Sequence, residues 1–205
     1  MKKNPLVLTI DFGTQSLRVA LINKSGEIEA IYKKPYNPAY YSEKKGYAEQ
    51  DADFYWEILL ESLKELVKSN RDKLGRIIGS TVTTFRDTAV LLDSNNKPIR
   101  KCILWLDQRT AKAKERLPLL HRFLFFIVGM KNTIVFNRQR TVAHWVKENE
   151  RENWSKTKKY VNISTYITYK LSGLLIDSAA NYTGHYPIHF KKRRWYKQGA
   201  LKGRP

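Results

Sequence analysis

The stretch that decides the fold is residues 7–18, which read Val-Leu-Thr-Ile-Asp-Phe-Gly-Thr-Gln-Ser-Leu-Arg. The first four residues are β-branched or aliphatic, and this pattern predicts a buried strand. Asp11 ends that strand, and Gly13 lets the backbone turn sharply directly after it. The apolar run at residues 17–22 predicts a second strand that returns along the first. The stretch is therefore predicted to form a β-hairpin with polar groups at its tip.

The groups at the tip suit a phosphate together with its magnesium ion. The Asp11 carboxylate can orient waters of the metal, while backbone N–H groups and the Arg18 cation can bind phosphate oxygens. Two hydroxyls and an amide are added by Thr14, Gln15 and Ser16. The Gly-x4-Gly-Lys-Ser/Thr pattern of a Walker A loop does not occur in the sequence. An ordinary hairpin with a polar turn would use the same residues, so the residues alone leave both interpretations open.

The pattern Asp-x-Gly-Thr-x-Ser-x-Arg at residues 11–18 resembles the first phosphate motif of the FGGY carbohydrate kinases, which belong to the actin-like ATPase superfamily. Similar hairpins occur in actin and in the heat-shock ATPases, so this motif alone indicates only the superfamily. Residues 83–88, Thr-Thr-Phe-Arg-Asp-Thr, resemble the substrate segment of the family, and residues 105–109, Trp-Leu-Asp-Gln-Arg, resemble its Trp-x-Asp-x-Arg segment. Further similar segments lie at residues 46–56, 144–149 and 166–173, so the resemblance covers nearly the whole chain.

The resemblance implies roles for individual residues of the chain. It implies that Asp11 positions the magnesium ion. It implies that the phosphates of ATP are bound by Thr14, Gln15, Ser16 and Arg18. It implies that the sugar or polyol is bound by Arg86, Asp87, Trp105 and Asp107. Independently of the family, the Arg86 guanidinium beside the Asp87 carboxylate at the carboxyl end of a strand suits the binding of vicinal hydroxyls. The two residues could equally form a surface ion pair.

Hydrophobic patterning along the rest of the chain indicates strands that alternate with helices. Strands are predicted at residues 28–33, 77–83, 89–92 and 102–106. A helix is predicted from an N-cap at Asp51 to about residue 70, because its apolar residues recur at three- and four-residue spacing. Further helices are predicted at residues 107–116, 119–128, 141–149 and 164–171, the last ended by Gly173. This order predicts an α/β fold, and the resemblance implies an actin-like ATPase (ribonuclease H-like) domain, a mixed sheet with flanking helices.

The composition is strongly basic, with a net charge of +19. Such an excess is found in proteins that bind nucleic acid or membrane surfaces. However, the basic residues are spread along the chain, with one cluster at residues 191–194 and no basic helix with interleaved aromatic residues. A lysine-rich solvated surface is therefore favoured over nucleic-acid binding. The single cysteine, Cys102, lies in an apolar run, which predicts a buried thiol and excludes a disulfide framework within the chain.

Targeting and metal signals are weak throughout the sequence. The first residues lack the apolar core of a signal peptide, and the apolar run at residues 117–130 contains His121 and Arg122 and is too short to span a bilayer. We therefore expect a cytoplasmic protein without a membrane partner. His185 and His189 are not expected to form a metal site, because Pro187 lies between them and disfavours a regular helix.

The sequence departs from the family in length. Members of the family are more than twice as long, and they contain two actin-like lobes with the catalytic aspartate near the end of the first lobe. No acidic residue follows Asp177, so none of the residues after it matches that aspartate. We therefore expect residues 1–190 to form an incomplete first lobe and residues 191–205 a basic C-terminal tail. The second lobe and the catalytic residue are both expected to be absent from this chain.

The sequence thus predicts the first lobe of an ATP-dependent kinase that transfers the γ-phosphoryl group to a hydroxyl of a sugar or polyol. The implied cofactors are ATP and Mg2+, a second lobe on a separate chain is a candidate partner, and the fragment alone is expected to be inactive. One alternative is a degenerate module that binds sugar or phosphate and docks on a second chain. A basic nucleic-acid-binding protein is the less favoured alternative. The residues do not identify the sugar, because an Arg–acid pair suits many polyols.

Overall fold

The computed structural model describes residues 4–112, 119–182, 188–192 and 194–195. Some sequence predictions fall elsewhere. The end of the helix predicted at residues 107–116, the His185–Pro187 segment and most of the predicted tail at residues 191–205 lie outside the described residues.

Strands and helices alternate along the described chain, as the hydrophobic pattern predicts. In chain order the elements are β1 (Leu6–Phe12), β2 (Ser16–Asn23), β3 (Ile28–Pro35), β4 (Glu49–Gln50), α1 (Ala52–Ser69), β5 (Ile77–Thr84), β6 (Ala89–Leu92), β7 (Cys102–Ile103), α2 (Leu119–Ile127), α3 (Lys131–Arg140), α4 (Val142–Asn149), α5 (Arg151–Lys156), β8 (Lys159–Asn162), α6 (Ile163–Ser172), β9 (Ile188–His189) and β10 (Arg194–Trp195). Short 3-10 helices span Arg71–Arg76, Ala179–Tyr182 and Phe190–Lys192.

The main sheet is mixed and is built on the predicted hairpin. Its strand order is β3-β2-β1-β5, with β1, β2 and β3 antiparallel as a meander and β5 parallel to β1. The register pairs Phe12 with Thr84, so β1 and β5 end at the same edge of the sheet. The Phe85 N–H donates to the Phe12 carbonyl, with 3.1 Å between N and O. This edge therefore brings together the hairpin tip and the loop that follows β5.

A second sheet has the order β4-β7-β6-β8 and is antiparallel throughout. The strand predicted at residues 102–106 is shorter than expected, because β7 ends at Ile103 and residues 105–106 form a turn. The helix prediction at residues 107–116 is wrong for residues 107–112, which are not helical. The physical reason is local: the Asp107 carboxylate accepts a hydrogen bond from the Arg109 N–H at 2.9 Å, which favours a turn over a helix.

The helix α1 packs against β2 and β3 and closes the main core. Five aromatic rings of this core lie in edge-to-face contacts, with centroids 5.3 to 6.4 Å apart: Phe12, Tyr36, Phe54, Tyr55 and Phe85. Each such contact adds about 0.5–1.5 kcal/mol to the burial of the rings. Because two of the five rings flank the junction between β1 and β5, the packing supports the edge at which the hairpin tip lies.

Two predicted helix ends are confirmed in position. Asp51 precedes α1 with an extended backbone, although its side chain makes no capping hydrogen bond. Gly173 follows α6 with a φ of 77°, the left-handed conformation that ends helices and that glycine adopts without steric cost. Cys102 is buried as predicted, with 1% of its surface exposed.

The helices α2 and α3 carry an exposed apolar surface, here named the α2–α3 apolar surface. Its most exposed members are Leu119, Leu120, Phe123, Phe126, Ile127 and Phe136. Among the described residues, no helix combines the length and apolar character needed to cross a membrane.

Candidate functional site

The predicted phosphate hairpin places Asp11 and Arg18 opposite each other. The two residues are register partners on β1 and β2, and Arg18 Nη1 donates to Asp11 Oδ2 at 3.0 Å. Their side chains are 44% and 41% exposed, so the ion pair is open to solvent. An exposed pair of this kind contributes little to stability. A phosphate with its cation could therefore exchange contacts with both side chains at small energetic cost.

Gly13 is required by the close approach of the two strands at the tip. Its N–H donates to the Ser16 carbonyl at 3.0 Å. A Cβ at this position would lie 3.1 Å from the Ser16 carbonyl oxygen and 3.3 Å from Arg18 Nη1. Since contacts this short are tighter than ordinary packing allows, a side chain here would push on both neighbours.

The three tip residues implied to bind phosphate differ in exposure. Gln15 is exposed, Thr14 is half-buried and Ser16, at the start of β2, is 5% exposed. The Gln15 carbonyl accepts a hydrogen bond from the Tyr36 N–H at 2.9 Å, which fixes the tip against the loop after β3. The geometry therefore offers the Thr14 and Gln15 side chains to a ligand more readily than that of Ser16.

A cavity of about 110 Å³ lies near the edge of the main sheet at which β1 and β5 end. Its lining residues are Asp87, Ile103, Leu104, Trp105, Asp107, Arg109, Arg140, Val142 and Trp145. Three of the four predicted substrate residues, Asp87, Trp105 and Asp107, are thus brought together. Arg86 is exposed and is not among these lining residues, so the structure places the predicted Arg–acid pair with only its acid on the cavity.

Asp87 has an unusual backbone conformation, with a φ of 57°. Aspartate tolerates the left-handed region better than most residues because its short side chain can bond locally. This segment follows β5, and the next residue, Thr88, is fully buried directly before β6. The backbone therefore presents Asp87 at the surface between two fixed strands.

Trp105 connects the cavity to the hairpin. Its indole Nε1–H donates to Thr14 Oγ1 at 3.2 Å, and its backbone N–H donates to Thr88 Oγ1, also at 3.2 Å. Half of the Trp105 surface is exposed. The implied phosphate residues and the implied substrate residues therefore lie in direct contact.

Asp107 is buried and is held entirely by protein donors. Its Oδ2 accepts from the Ala48 N–H at 2.6 Å and from Arg109 Nη2 at 2.8 Å. Its Oδ1 accepts from the Arg109 N–H at 2.9 Å and from Arg109 Nε at 2.8 Å. A carboxylate offers about four lone-pair sites, so these four bonds use the acceptor capacity of the group. Asp107 lines the cavity, but a substrate hydroxyl would compete with these donors.

Arg109 lines the cavity, although the sequence indicates it only as part of the Trp-x-Asp-x-Arg segment and implies no role for it. Its side chain is 4% exposed, and Nη1 lies 2.7 Å from Glu49 Oε1. The guanidinium carbon lies 3.7 Å from the centroid of Tyr47 and 4.5 Å from that of Trp145. Burial lowers the pKa of Arg109, but the hydrogen bonds that it donates to Asp107 and Glu49, together with the attraction of these two carboxylates, outweigh burial and raise the pKa overall. In the sequence, Glu49 and Arg109 lie in two distant segments, residues 46–56 and residues 105–109. Their charges alone do not show that the two side chains pair.

The ionic network continues away from the cavity through Arg100. Its Nη2 donates to Glu49 Oε1 at 2.5 Å, and its Nε lies 3.0 Å from Glu150 Oε2. Its side chain is 9% exposed. Glu49 therefore pairs with two arginines, of which Arg109 lines the cavity and Arg100 does not.

The donor set at the hairpin fits magnesium rather than a metal held by protein ligands alone. Among the residues that the structure describes, no group of three or more His, Cys, Asp or Glu side chains could hold a metal ion. Asp11 supplies one partly exposed carboxylate. Mg2+ commonly uses one or two carboxylates, retains several waters and binds substrate phosphates, so a single carboxylate at a phosphate site is chemically sufficient.

Comparison with known proteins shows which family the chain belongs to. The sequence profile of the FGGY family of carbohydrate kinases, N-terminal domain, matches residues 6–200. A xylulose kinase of Staphylococcus xylosus is 29% identical over 189 residues, which cover 92% of this chain and 38% of that protein. This chain therefore spans well under half of the relative's length.

Solved structures show the same fold. The ligand-bound xylulose kinase of Lactobacillus acidophilus matches with a TM-score of 0.73 and 20% identity, over 97% of this chain and 40% of that one. The glycerol kinase of Plasmodium falciparum with ADP matches with a TM-score of 0.72 and 21% identity, over 95% of this chain and 40% of that one. These neighbours confirm the predicted actin-like ATPase fold, a mixed sheet with flanking helices. The chain belongs to the FGGY family of carbohydrate kinases, and it corresponds to the N-terminal domain of that family.

Proposed function

We propose that this chain is the part of a sugar or polyol kinase that binds the substrate and the phosphates of ATP. In the proposed reaction the γ-phosphoryl group of ATP passes to a hydroxyl of the carbohydrate, with Mg2+ as the cofactor. The observation that carries the proposal is the hydrogen bond of 3.2 Å between Trp105 and Thr14, because it joins the phosphate hairpin to the cavity. Phosphoryl transfer depends mainly on such juxtaposition of phosphate and acceptor.

In the proposed roles, the hairpin binds phosphate and the cavity binds the sugar. Arg18 and the Thr14 and Gln15 side chains would donate to phosphate oxygens, and Ser16, which is buried, would act mainly through its place at the start of β2. Asp11 would hold the Mg2+ ion, which neutralises charge on the phosphates when it is bound.

On the substrate side, Asp87 would accept from a sugar hydroxyl, and Trp105 would cover an apolar face of the sugar. Arg86 would donate to a hydroxyl from outside the cavity lining. Asp107 would bind the sugar only by exchanging one of its present donors, so its main role would be to hold Arg109 and the Ala48 backbone.

A second lobe on another chain is proposed as the partner that completes the nucleotide site, and the cytoplasm, where ATP is abundant, as the place of action. The isolated chain would then bind a sugar without turnover. A degenerate binding module would have the same property, and the two are separated by whether turnover appears when the partner lobe is supplied.

The test of substrate binding is a thermal-shift titration with pentuloses, hexuloses, glycerol and erythritol. We expect one of these to raise the melting temperature of the wild-type chain. Asp87→Ala and Arg86→Ala should each weaken that binding about 10- to 150-fold, since a hydrogen bond to a charged group contributes about 1.5–3 kcal/mol.

Matched controls are Asp72→Ala and Arg71→Ala, which make the same charge changes at exposed positions of a 3-10 helix distant from the cavity in sequence. Both controls should retain the wild-type affinity. A panel without any effect on the wild-type chain, or equal losses in the site variants and the controls, would contradict sugar binding at this cavity.

A further inference from the structure

Trp105 is held at two points by threonine hydroxyls that come from different segments. Thr88 Oγ1 accepts from its backbone N–H, and Thr14 Oγ1 accepts from its indole N–H, each at 3.2 Å. Thr88 is fully buried, and its carbonyl accepts from the Ile163 N–H at 2.9 Å, so this side of the contact is fixed in the fold. Thr14 is half-buried at the hairpin tip. The orientation of the indole therefore depends on the position of the hairpin.

The chemistry of this contact is directional. An indole N–H can only donate, whereas a hydroxyl has one donor hydrogen and two acceptor lone pairs. When Thr14 Oγ1 accepts from Trp105, its own hydrogen remains available to a further acceptor. Hydrogen bonds in such a chain polarise one another and strengthen together. A phosphate oxygen at the hairpin is the acceptor that would complete the chain.

We propose that Thr14 is a positioning residue that couples the two halves of the site, through a chain from Trp105 Nε1–H to Thr14 Oγ1–H to a phosphate oxygen. This inference rests on the proposed function, since it takes the hairpin as the phosphate site and Trp105 as a wall of the sugar site. Phosphate at the hairpin then fixes the indole over the cavity. By thermodynamic linkage, a sugar against the indole strengthens phosphate binding by the same factor.

The first experiment tests the contact without any ligand. The indole N–H resonance of Trp105 is assigned by its loss in Trp105→Phe, and its exchange with water is measured by NMR. Thr14→Val should speed that exchange about fivefold, the factor that corresponds to one hydrogen bond, while Thr14→Ser should restore the wild-type rate. Thr9→Val is the control, because Thr9 lies on β1 of the same hairpin and donates to the Ala20 carbonyl instead. An unchanged rate in Thr14→Val would overturn the proposal.

The second experiment tests the coupling with inorganic phosphate. Ionic strength is held constant with chloride, because a chain of net charge +19 attracts anions over its whole surface. In the wild-type chain, phosphate should shift the backbone amide resonances of Thr14 and Gln15 together with the Trp105 indole. In Thr14→Val the amides should still shift, through Arg18 and the backbone, while the indole should not.

The outcomes distinguish the coupling between Thr14 and Trp105 from the phosphate site itself. Amide shifts without an indole shift in the wild-type chain would overturn the coupling and leave the phosphate site standing, as would an indole that follows phosphate equally in Thr14→Val. Absence of any shift at the hairpin would overturn the phosphate site itself, and with it the coupling.

Discussion

Single residues of the site derive their positions from buried ionic contacts as much as from the strands that carry them. Asp107 and Arg109 form three hydrogen bonds between their side chains and backbone, and Glu49 adds a further contact to Arg109. A buried ion pair is not in itself evidence of high stability, because removing both charges from water is costly. Loss of one partner, however, destabilises the fold, since the other charge is then left buried and unpaired.

Arg109→Ala should therefore lower the free energy of unfolding by about 3–5 kcal/mol, the range found when one partner of a buried pair is removed. The substitution would leave Asp107 and Glu49 without their shared cation and would remove the stacking on Tyr47. Urea unfolding measures the change. Lys156→Ala is the control, because Lys156 and its partner Glu152 are 58% and 81% exposed, and it should unfold like the wild-type chain. Equal stability of the two variants would contradict a buried network.

Cys102 provides a pH-dependent prediction. Burial raises the pKa of its thiol from 9.0 to about 12. The unfolded chain therefore releases this proton at lower pH than the folded chain. The contribution of the protonated thiol to the free energy of unfolding is complete below pH 9 and is lost as the pH rises toward 12. Cys102→Ala should flatten the alkaline decline of the unfolding free energy by up to about 1.4 kcal/mol per pH unit. Urea titrations between pH 8 and about 11 measure it, and an unchanged slope in the variant would be the contrary result.

At the scale of elements, segments with a clear apolar pattern could be predicted from the sequence, including the four-residue β6, whereas segments without such a pattern could not. The hairpin, α1 and α6 follow from apolar runs or from helical spacing, and their own residues contribute to the buried core. The strands β3 and β5 follow from their apolar and β-branched residues, although none of those residues is fully buried. The strands β4 and β8 were missed. β4 has two residues, and it exists because Gln50 and Glu49 pair with Cys102 and Ile103 across the second sheet.

Two helices were also missed for a physical reason. α3 has no buried residues, so its sequence carries no apolar stripe that would indicate a helix. α5 has six residues and no buried ones. The candidate site shows the same difference: residues 11–18 are predicted to bind phosphate from a local motif, whereas the pairing of Arg109 with Glu49 joins segments 60 positions apart by residue number. Only the tertiary fold shows such a contact.

The hairpin itself gives a prediction at the element scale. Gly13→Ala should destabilise the chain by about 1–3 kcal/mol, because the new methyl would lie 3.1 Å from the Ser16 carbonyl, which the hairpin hydrogen bond keeps in place. Gly79→Ala is the matched control on β5, where a Cβ would meet nothing within 4 Å. It should be neutral or stabilising by about 0.5–1 kcal/mol, since glycine within a strand is unfavourable. Urea unfolding measures the stability of both variants. A Gly13→Ala chain as stable as Gly79→Ala would show that the hairpin tip can accommodate a methyl group at position 13.

At the scale of the whole molecule, two opposing features control behaviour in solution. The net charge of +19 makes copies of the chain repel one another. The α2–α3 apolar surface favours association, because its exposed apolar side chains are removed from water when chains meet. The balance between them depends on salt, because the Debye length falls from about 10 Å at 0.1 M to about 3 Å at 1 M.

The chain should therefore associate more at high salt than at low salt, which light scattering measures directly. The double variant Phe123→Lys/Phe126→Lys should remain monomeric at both, since it removes two large exposed apolar side chains, 62% and 68% exposed, from the α2–α3 apolar surface. Ile28→Lys/Ile78→Lys is the matched control. It adds the same two charges at positions that are 57% and 61% exposed on β3 and β5, so charge alone is held equal. If the control suppresses association as strongly as the α2 variant, charge and not the helical surface governs association. A wild-type chain that stays monomeric in 1 M salt would show that the surface drives no association of its own, because at about 3 Å the screening leaves little repulsion to oppose it.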